Sequence, residues 1–427
     1  MFLASNIRQL IPVRQNNQPV WLRVGKLLDA RRKRIIENAH LVYDGSGILH
    51  IGTTPPSEEI LRCAAMVDLP DVAAIPPLFD AHTHISLCGS ELDADQRSIA
   101  QKRAPEAILA EAETRARALL ARGVIGMRDG GDKDGVGLEL SEKSQAAAEA
   151  CGLPRVLSPG PGIHRKGRYG SFFCQPLDDH SSIHDCVAHR VQSGADHIKI
   201  VPTGIINFAK GAVTASPQLT TEEVRELVTA SKPHTRMVMA HASGSEGIQN
   251  AIDGGVDTIE HGYFISRDQL AAMRDRGIAW VPTFAPVHMQ IVHADIMGWD
   301  PTVLDHLRRI LDAHAESLRH ALQIGVRILV GSDAGSYGVP HASGLVEEML
   351  LMEAAGMTTL DVLCEVAFGN ANTLAPLLPH RLLETGCPAT FLLVSAASFD
   401  SIRCFENPIV IFGGSPLTAE TASDSLL

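Results

Sequence analysis

The stretch AIPPLFDAHTHI, from Ala74 to Ile85, ends an apolar run with two histidines that are separated by one residue. Side chains of a β-strand alternate between its two faces with a period of two, so His82 and His84 point to the same side. Two imidazoles on one face provide two of the ligands that a metal site needs. The stretch therefore predicts a buried strand that carries metal ligands at its C-terminal end.

Short apolar or β-branched runs continue along the chain, and segments with helical spacing lie between them. Eight strands are predicted, at Ala73–Ile85, Val124–Asp129, Arg155–Gly160, His197–Pro202, Arg236–Ala242, Thr258–Gly262, Ala279–Phe284 and Arg327–Ala334. The intervening segment TTEEVRELVTASK is typical: its apolar residues are three to four positions apart, and Thr220 or Thr221 caps its start. Eight successive strand–helix units predict an α/β fold with a (β/α)8 TIM barrel over residues 73–380.

Both ends of the chain differ from this central region. The stretches VWLRVGKLLD and NAHLVYDGSGILHIG, before Leu69, show short alternating strands with a glycine-containing turn. After His380, ATFLLVSA and IVIFGG are again typical of strands. We expect residues 1–72 and 381–427 to pair into one composite β-sandwich domain beside the barrel.

Composition and charge narrow the class of protein and its partners. The 427 residues carry a formal net charge of −12, which argues against a nucleic-acid partner or an anionic membrane, because either would require a basic surface. No run of about 18 apolar residues predicts a membrane span, and the start MFLASNIRQLIPVRQ lacks the features of a signal peptide. Eight scattered cysteines favour reduced thiols in the cytoplasm. A small-molecule substrate is expected, and a homo-oligomer is left open.

Residues suited to metal binding stand at the ends of the predicted strands, where (β/α)8 barrels carry their chemistry. There are six of them: His82, His84, Lys199, His241, His261 and Asp333. Each has a simpler interpretation on its own, since a single histidine is more often hydrogen-bonded in the core or at the surface, and Asp333 can cap the next helix. Separate explanations do not predict six such residues at one end of one barrel, so a metal site is favoured.

Lys199 lies between two isoleucines of a predicted buried strand, where a charged amine is unfavourable unless it is paired. Burial lowers the pKa of an amine, and a neutral amine is nucleophilic. It can react with CO2 to form a carbamate, an anionic ligand that can bridge two metal ions about 3.5–4 Å apart. Pairing of Lys199 with a neighbouring carboxylate is the alternative.

Taken together, these segments resemble the amidohydrolase superfamily across nearly the whole chain. The matching motifs are DAHTHI, GVIGMRD, GADHIKI, MAHASG, GVDTIEHG, WVPTF and GSDAG. The pattern is most similar to the imidazolonepropionase-like and prolidase-type branch, in which the lysine of the fourth strand is typically carboxylated.

The resemblance implies a role for each candidate ligand. His82, His84 and Asp333 would hold one divalent metal ion, a Zn²⁺ in the expected case, and His241 and His261 would hold a second. The carbamate on Lys199 would bridge the two ions. Asp333 would also act as general base toward the hydroxide shared by the metals.

The reaction expected from the resemblance is hydrolysis of a C–N bond of amide or peptide type. Mononuclear deaminases of the superfamily carry a glutamate three residues after the histidine of the fifth strand; here that position is Gly244, and Glu246 is out of register. A mononuclear imidazolonepropionase- or deaminase-like enzyme and a lactone hydrolase remain as alternatives. A non-catalytic scaffold is the weaker alternative, since scaffold relatives lose ligands and this chain retains them.

The segment SPGPGIHRKGRYGSF, Ser158 to Phe172, is a basic stretch in an acidic chain. His164 stands where prolidase-type relatives tend to place a histidine that binds or polarises the substrate, and we expect it to be catalytic. Arg165, Arg168 and Tyr169 are candidates for binding a substrate carboxylate, as in a dipeptide or an N-acyl amino acid. The alternative is that these cations pair with QPLDDH just downstream.

Overall fold

The structure, a computed structural model, describes residues 18–146, 152–374, 382–403 and 407–417. The N-terminal segment considered as a signal peptide, the cysteines Cys151 and Cys404, and the predicted domain boundary at residues 380 and 381 lie outside these ranges.

Both ends of the chain contribute to one seven-stranded sheet. Its strands are β1 (Val20–Asp29), β2 (Arg34–Asp44), β3 (Gly47–Gly52), β4 (Ala65–Ile75), β14 (Phe391–Ser395), β15 (Ile409–Phe412) and β16 (Ser415–Pro416). They follow the order β16-β15-β14-β4-β1-β2-β3, and β4 joins the two ends because it pairs in parallel with β1 and antiparallel with β14. Leu22, Leu41, Phe391 and Ile411 are buried in its core. The prediction of a separate, mostly β region from both ends is confirmed.

The central region contains two parallel sheets. Its strands are β5 (Leu78–Thr83), β6 (Val124–Asp129), β7 (Arg155–Leu157), β8 (Gly162–His164), β9 (Cys174–Pro176), β10 (Ile198–Ile200), β11 (Val238–Ala242), β12 (Thr258–His261) and β13 (Ala279–Val281). One sheet has the order β5-β6-β7 and the other β13-β12-β11-β10-β8-β9. The α/β class with parallel strands is thus confirmed.

Helices connect the strands of these sheets. They are α1 (Glu58–Cys63), α2 (Ala94–Ala100), α3 (Pro105–Ala121), α4 (Val136–Ala146), α5 (Ile183–Gln192), α6 (Thr221–Ser231), α7 (Ser245–Gly254), α8 (Arg267–Arg276), α9 (Ala285–Val292), α10 (Ala294–Met297), α11 (Pro301–Ile324), α12 (His341–Ala355), α13 (Thr359–Cys364) and α14 (Asn370–Leu374). The helix predicted from TTEEVRELVTASK is α6, and Thr220 caps it in a capping box with Glu223.

Segment 327–334, predicted as the eighth strand, forms only isolated bridges, at Ile328 with Trp280 and at Ala334 with Thr83. Side chains take two of the backbone N–H groups that a continuous ladder would use. The N–H of Val330 donates to Asn370 Oδ1 at 2.9 Å, and that of Ser332 donates to a buried Asp80 oxygen. The segment still hydrogen-bonds to both neighbours, since Ala81 donates to Val330 and Leu329 donates to Trp280.

Two further observations concern the cysteine thiols and the apolarity of the helices. Within the described ranges, the thiols of six cysteines are free, namely Cys63, Cys88, Cys174, Cys186, Cys364 and Cys387. A helix with the length and apolarity needed to span a bilayer is absent from the same ranges.

The buried Asn370 generates the first prediction, because its amide accepts from Val330 N–H and donates to the carbonyls of Phe79 and Val330 at 2.7 Å. Asn370→Ala leaves buried backbone groups without partners, so we expect the free energy of unfolding to fall by about 2–4 kcal/mol. Urea unfolding followed by circular dichroism measures the change. Asn372→Ala, at an exposed position of the same helix, is the control; equal stability of the two variants would contradict the role of Asn370.

Candidate metal centre

The end of β5 and the end of segment 327–334 bring three candidate ligands together. One ligand atom from each of His82, His84 and Asp333 lies within 4.8 Å of the others, and all three side chains are buried. The Nε2 atoms of both histidines are 3.6 Å from Asp333 Oδ1. Asp333 has a φ of 53°, a left-handed conformation that is uncommon for a residue other than glycine and often marks a functional site.

His241 and His261, at the ends of β11 and β12, adjoin this group. The ring of His261 is 5.2 Å from that of His82 and 4.5 Å from that of His241, measured between centroids. Like Asp333, His261 has a positive φ, of 66°. Four histidine rings therefore meet at the C-terminal ends of parallel strands.

Lys199 is fully buried at the centre of β10. Burial lowers the pKa of its amine to about 8. Burial, followed by the nearby charge of Lys199, also lowers the pKa of His84 and of His241 to about 3. The imidazoles are therefore neutral near pH 7, which is the form that binds metal ions.

Four buried polar atoms in this cluster lack a hydrogen-bond partner in the described part of the chain: His82 Nε2, His241 Nε2, Lys199 Nζ and Asp333 Oδ1. Buried polar atoms are nearly always hydrogen-bonded, and one that is not costs about 1–3 kcal/mol. Four such atoms in a single cluster fit a bound metal ion, which would take nitrogen and oxygen ligands of this kind.

In His82 and His261, the hydrogen bond of Nδ1 determines that Nε2 is the nitrogen free to bind a metal ion. Nδ1 of His82 lies 2.8 Å from a carboxylate oxygen of Glu260, which can only accept, so Nδ1 carries the hydrogen. Nδ1 of His261 is 2.7 Å from the hydroxyl of Thr283, whose own hydrogen is donated to the Pro282 carbonyl. In both histidines the lone pair is left on Nε2, and such outer contacts commonly orient metal-binding histidines.

Glu260 and Arg128 form a buried ion pair beneath His82 that the sequence analysis missed. Arg128 Nη2 lies 2.8 Å from Glu260, and its Nε donates to the carbonyl of Ala81 next to His82. Both side chains have almost no exposed surface. The available signal was the charged residue inside the apolar strand VIGMRD, together with the acid that precedes His261.

Of the residues predicted to bind substrate, His164 and Tyr169 lie close to the candidate metal ligands. His164 is buried at the end of β8, and its Nδ1 is 3.2 Å from the carbonyl oxygen of Tyr169. A Cβ added at Gly162 would lie 3.4 Å from Lys199 Cγ, so His164, two residues further along the strand, is on the face that adjoins Lys199. The ring of Tyr169 is 5.4 Å from that of His241.

Arg165 and Arg168 are held by other contacts. Arg165 forms ion pairs with Asp178, at 3.2 Å, and with Glu223. Arg168 is largely exposed and donates to the carbonyl of Ser216. The pairing with the downstream acids that was considered as the alternative thus occurs for Arg165, and a role of either arginine in binding substrate stays a prediction.

A cavity of about 260 Å³ opens beside the cluster. Residues of the cluster, aromatic and aliphatic side chains and one arginine line it, namely His84, Leu87, Arg97, Tyr169, Phe172, Phe173, Ile205, Ile206, Phe208, His241, Ser243, His261, Tyr263, Pro286, Val287, Gln290, Asp333, Ser336 and Tyr337. The long loop after β10 contributes Ile205, Ile206 and Phe208. A mostly apolar cavity with a few polar groups is typical of a small-molecule site.

Comparison with known proteins gives consistent matches. A sequence profile described as the Amidohydrolase family matches residues 73–405. An uncharacterized protein of Mycobacterium tuberculosis is 28% identical over 292 residues, which cover 68% of this chain and 71% of that protein. Ochratoxinase of Aspergillus niger is 24% identical over 273 residues, 61% of this chain but only 52% of the ochratoxinase.

Among solved structures, a Xaa-Pro dipeptidase with methionine bound in its active site is similar over nearly the full length. It has a TM-score of 0.78 and 26% identity, and the match covers 93% of this chain and 99% of the dipeptidase.

The contact of Glu260 with His82 generates the second prediction. Glu260→Gln removes the charge that opposes Arg128 and weakens the acceptor that orients His82, so we expect zinc affinity to fall by about 10- to 100-fold. Competition with a chelator measures the affinity, and circular dichroism verifies folding. Glu246→Gln, at an exposed position of α7, is the matched control; a folded Glu260→Gln variant with the affinity of the control would contradict the orienting role.

Proposed function

Because this chain belongs to the amidohydrolase family and is a hydrolase acting on carbon–nitrogen bonds, we propose that it cleaves the amide or peptide bond of a small carboxylate-bearing substrate, such as a dipeptide or an N-acyl amino acid. The observation that carries this proposal is a cluster of four buried polar atoms that have no hydrogen-bond partner among the described residues and that lie beside an apolar cavity. The full-length similarity to a dipeptidase supports the substrate class.

The proposed architecture is a closed (β/α)8 barrel over residues 73–380, with residues 1–72 and 381–427 as one composite β-sandwich domain that contains the seven-stranded sheet. Support for closure comes from segment 327–334, which bridges to Trp280 on one side and to Thr83 on the other. We also propose a reducing, cytoplasmic compartment, which the six free cysteines of the described ranges support.

Two divalent ions, in our proposal Zn²⁺, are held by the residues with available lone pairs. His82, His84 and Asp333 would hold one ion, and His241 and His261 would hold the other. When bound, the ions polarise the scissile carbonyl and lower the pKa of water, which makes a nucleophile available near neutral pH.

Lys199 would complete the proposed set as a carbamate, which would supply anionic oxygen ligands. Its neutral amine attacks the carbon of CO2, an N–C bond forms as one C–O π bond opens onto oxygen, and one proton passes from the nitrogen to water. A pKa near 8 leaves a useful fraction of the amine neutral near pH 7.5. Conversion to an anion also removes the buried amine that lacks a hydrogen-bond partner.

Asp333 is the proposed general base. Its Oδ1 has no hydrogen-bond partner within the described ranges, and burial raises the pKa of its carboxyl to about 7. The carboxylate takes a proton from the attacking water and passes it to the leaving nitrogen. His164, on the face of β8 that adjoins Lys199, is proposed to bind and polarise the substrate carbonyl.

The alternatives have less support. Glu246, the acid closest to the position of the deaminase proton shuttle, is exposed on α7, which disfavours a deaminase. A lactone hydrolase would use the same metal-binding residues, so only the substrate distinguishes it from an amidohydrolase. The presence of all six candidate ligands disfavours a scaffold.

Hydrolysis of a panel of dipeptides, N-acyl amino acids and lactones by the zinc-loaded protein tests the proposal. We expect amine release from members of the first two classes. Asp333→Asn removes the base, so its kcat should fall by about 100- to 10,000-fold.

Asp312→Asn, at an exposed position of α11, is the matched control and should retain the parental rate. Turnover of lactones without turnover of any amide, or an Asp333→Asn variant as active as this control, would contradict the proposal.

A further inference from the structure

We propose that Arg97 binds the carboxylate of the substrate and so selects for acids among amide substrates. This inference rests on the proposed function, since it assigns a residue to the recognition of a carboxylate-bearing amide. It differs from the expectation drawn from the sequence, in which Arg165 and Arg168 were the candidates.

Arg97 lies on α2, which follows the strand of His82 and His84 in the chain, and its guanidinium reaches the distant loop after Asp333. Nη2 donates to the carbonyl of Gly335 at 3.0 Å, two residues after Asp333. The guanidinium carbon is 5.7 Å from the ring centroid of Tyr337. Arg97, Tyr337 and Asp333 all line the same cavity. A positive charge is therefore held at the cavity wall, in contact with the loop that follows the proposed general base.

Within the described ranges, this charge has no carboxylate partner. No acidic side chain of these ranges lies within ion-pair distance of Arg97, and its hydrogen bonds go to the backbone carbonyls of Cys88, Glu91 and Gly335. Three carbonyls orient the guanidinium without neutralising it. Burial lowers the pKa of Arg97, which indicates that solvation of its charge is incomplete.

The contrast with Arg165 supports the assignment. Arg165 already pairs with two carboxylates, from Asp178 and Glu223, whereas Arg97 pairs with none in the part of the chain that the structure describes. Among the described residues that line the cavity, Arg97 is the only arginine or lysine. The guanidinium fork matches the two oxygens of a carboxylate, so a substrate carboxylate is the natural partner for this cation.

The rest of the cavity indicates which acids fit. Phe172 and Phe173 stack edge to face at 4.7 Å, and Ile206 and Phe208 approach from the loop after β10. Such a wall favours a bulky apolar side chain. The inferred substrate is therefore an N-acylated or peptidic amino acid with an apolar side chain and a free carboxylate.

A purely structural role is the competing explanation, because the same hydrogen bonds tie α2 to the loops at Cys88 and Gly335. Loss of that role would impair all substrates alike. Loss of a carboxylate contact would impair only acids, so a matched pair of probes separates the two explanations.

The test uses the zinc-loaded full chain with N-acetyl-phenylalanine and its carboxamide, and acetate release reports cleavage of the same bond in both. We expect the parent to prefer the acid by about 10- to 100-fold in kcat/KM, the range for a charge-assisted contact. Arg97→Gln should remove most of this preference by raising the KM of the acid. Arg97→Lys, which keeps the positive charge, should retain part of the preference. Arg103→Gln, an arginine paired with Glu111 outside the metal cluster, should keep the full preference.

Two outcomes would overturn the inference: a parent that does not distinguish the probes, or an Arg97→Gln variant that loses both activities equally. If the parent releases acetate from neither probe, the proposed hydrolysis of N-acyl amino acids fails, and calorimetric binding of the two probes to the same proteins decides the inference separately. Binding selective for the acid and lost in Arg97→Gln supports it, and equal or absent binding overturns it.

Discussion

The burial of unpaired polar atoms at the ends of parallel strands is the constraint on which the site depends. Four atoms, Lys199 Nζ, His82 Nε2, His241 Nε2 and Asp333 Oδ1, lose water without gaining a hydrogen bond within the described chain, which is unfavourable for folding. A protein that folds in spite of this penalty is organised for a ligand that removes it. Parallel strands supply the geometry, since their C-terminal ends meet although the residues are distant in sequence.

A second buried layer makes this arrangement rigid. Glu260 links Arg128 to His82, and Asp80 links the backbone of His82 to that of Ser332. Burial raises the pKa of Asp80 to about 6, which shows that its charged form is unfavourably desolvated. The hydrogen bonds that it accepts from Ser332 and His82 offset part of this penalty. These contacts fix the tautomer and position of a candidate ligand before any ion binds, which is the usual function of residues behind a metal site.

Much of the candidate site could be predicted, because strand alternation and helix capping depend only on residues that are close in sequence. A period of two placed His82 and His84 on one face, and the capping pattern at Thr220 and Glu223 marked the start of a helix. The ion pair between Arg128 and Glu260 could not be predicted, because the two residues are 132 positions apart and their pairing leaves no local sequence pattern. The ladder of segment 327–334 was overestimated for the same reason, since Asn370 takes one of its N–H groups from 40 residues away.

Residues that bind the substrate are equally difficult to predict from the sequence. A count of charges drew attention to Arg165, but only the fold reveals that acids already neutralise it. Arg97 attracted no attention, because a single arginine on a polar helix is common. The candidate metal ligands therefore stand at strand ends that a sequence pattern can locate, whereas a candidate residue for substrate recognition is identified only when the complete fold shows its partners.

The most direct test of the account is the metal content of the parent protein and of Lys199→Ala, both produced with added zinc and bicarbonate and measured by elemental analysis. The account predicts about two equivalents of metal in the parent and about one or none in the variant, because a carbamate on Lys199 would hold both ions. One equivalent in the parent, unchanged by the substitution, would contradict it and would leave Lys199 as a structural residue beside a mononuclear site.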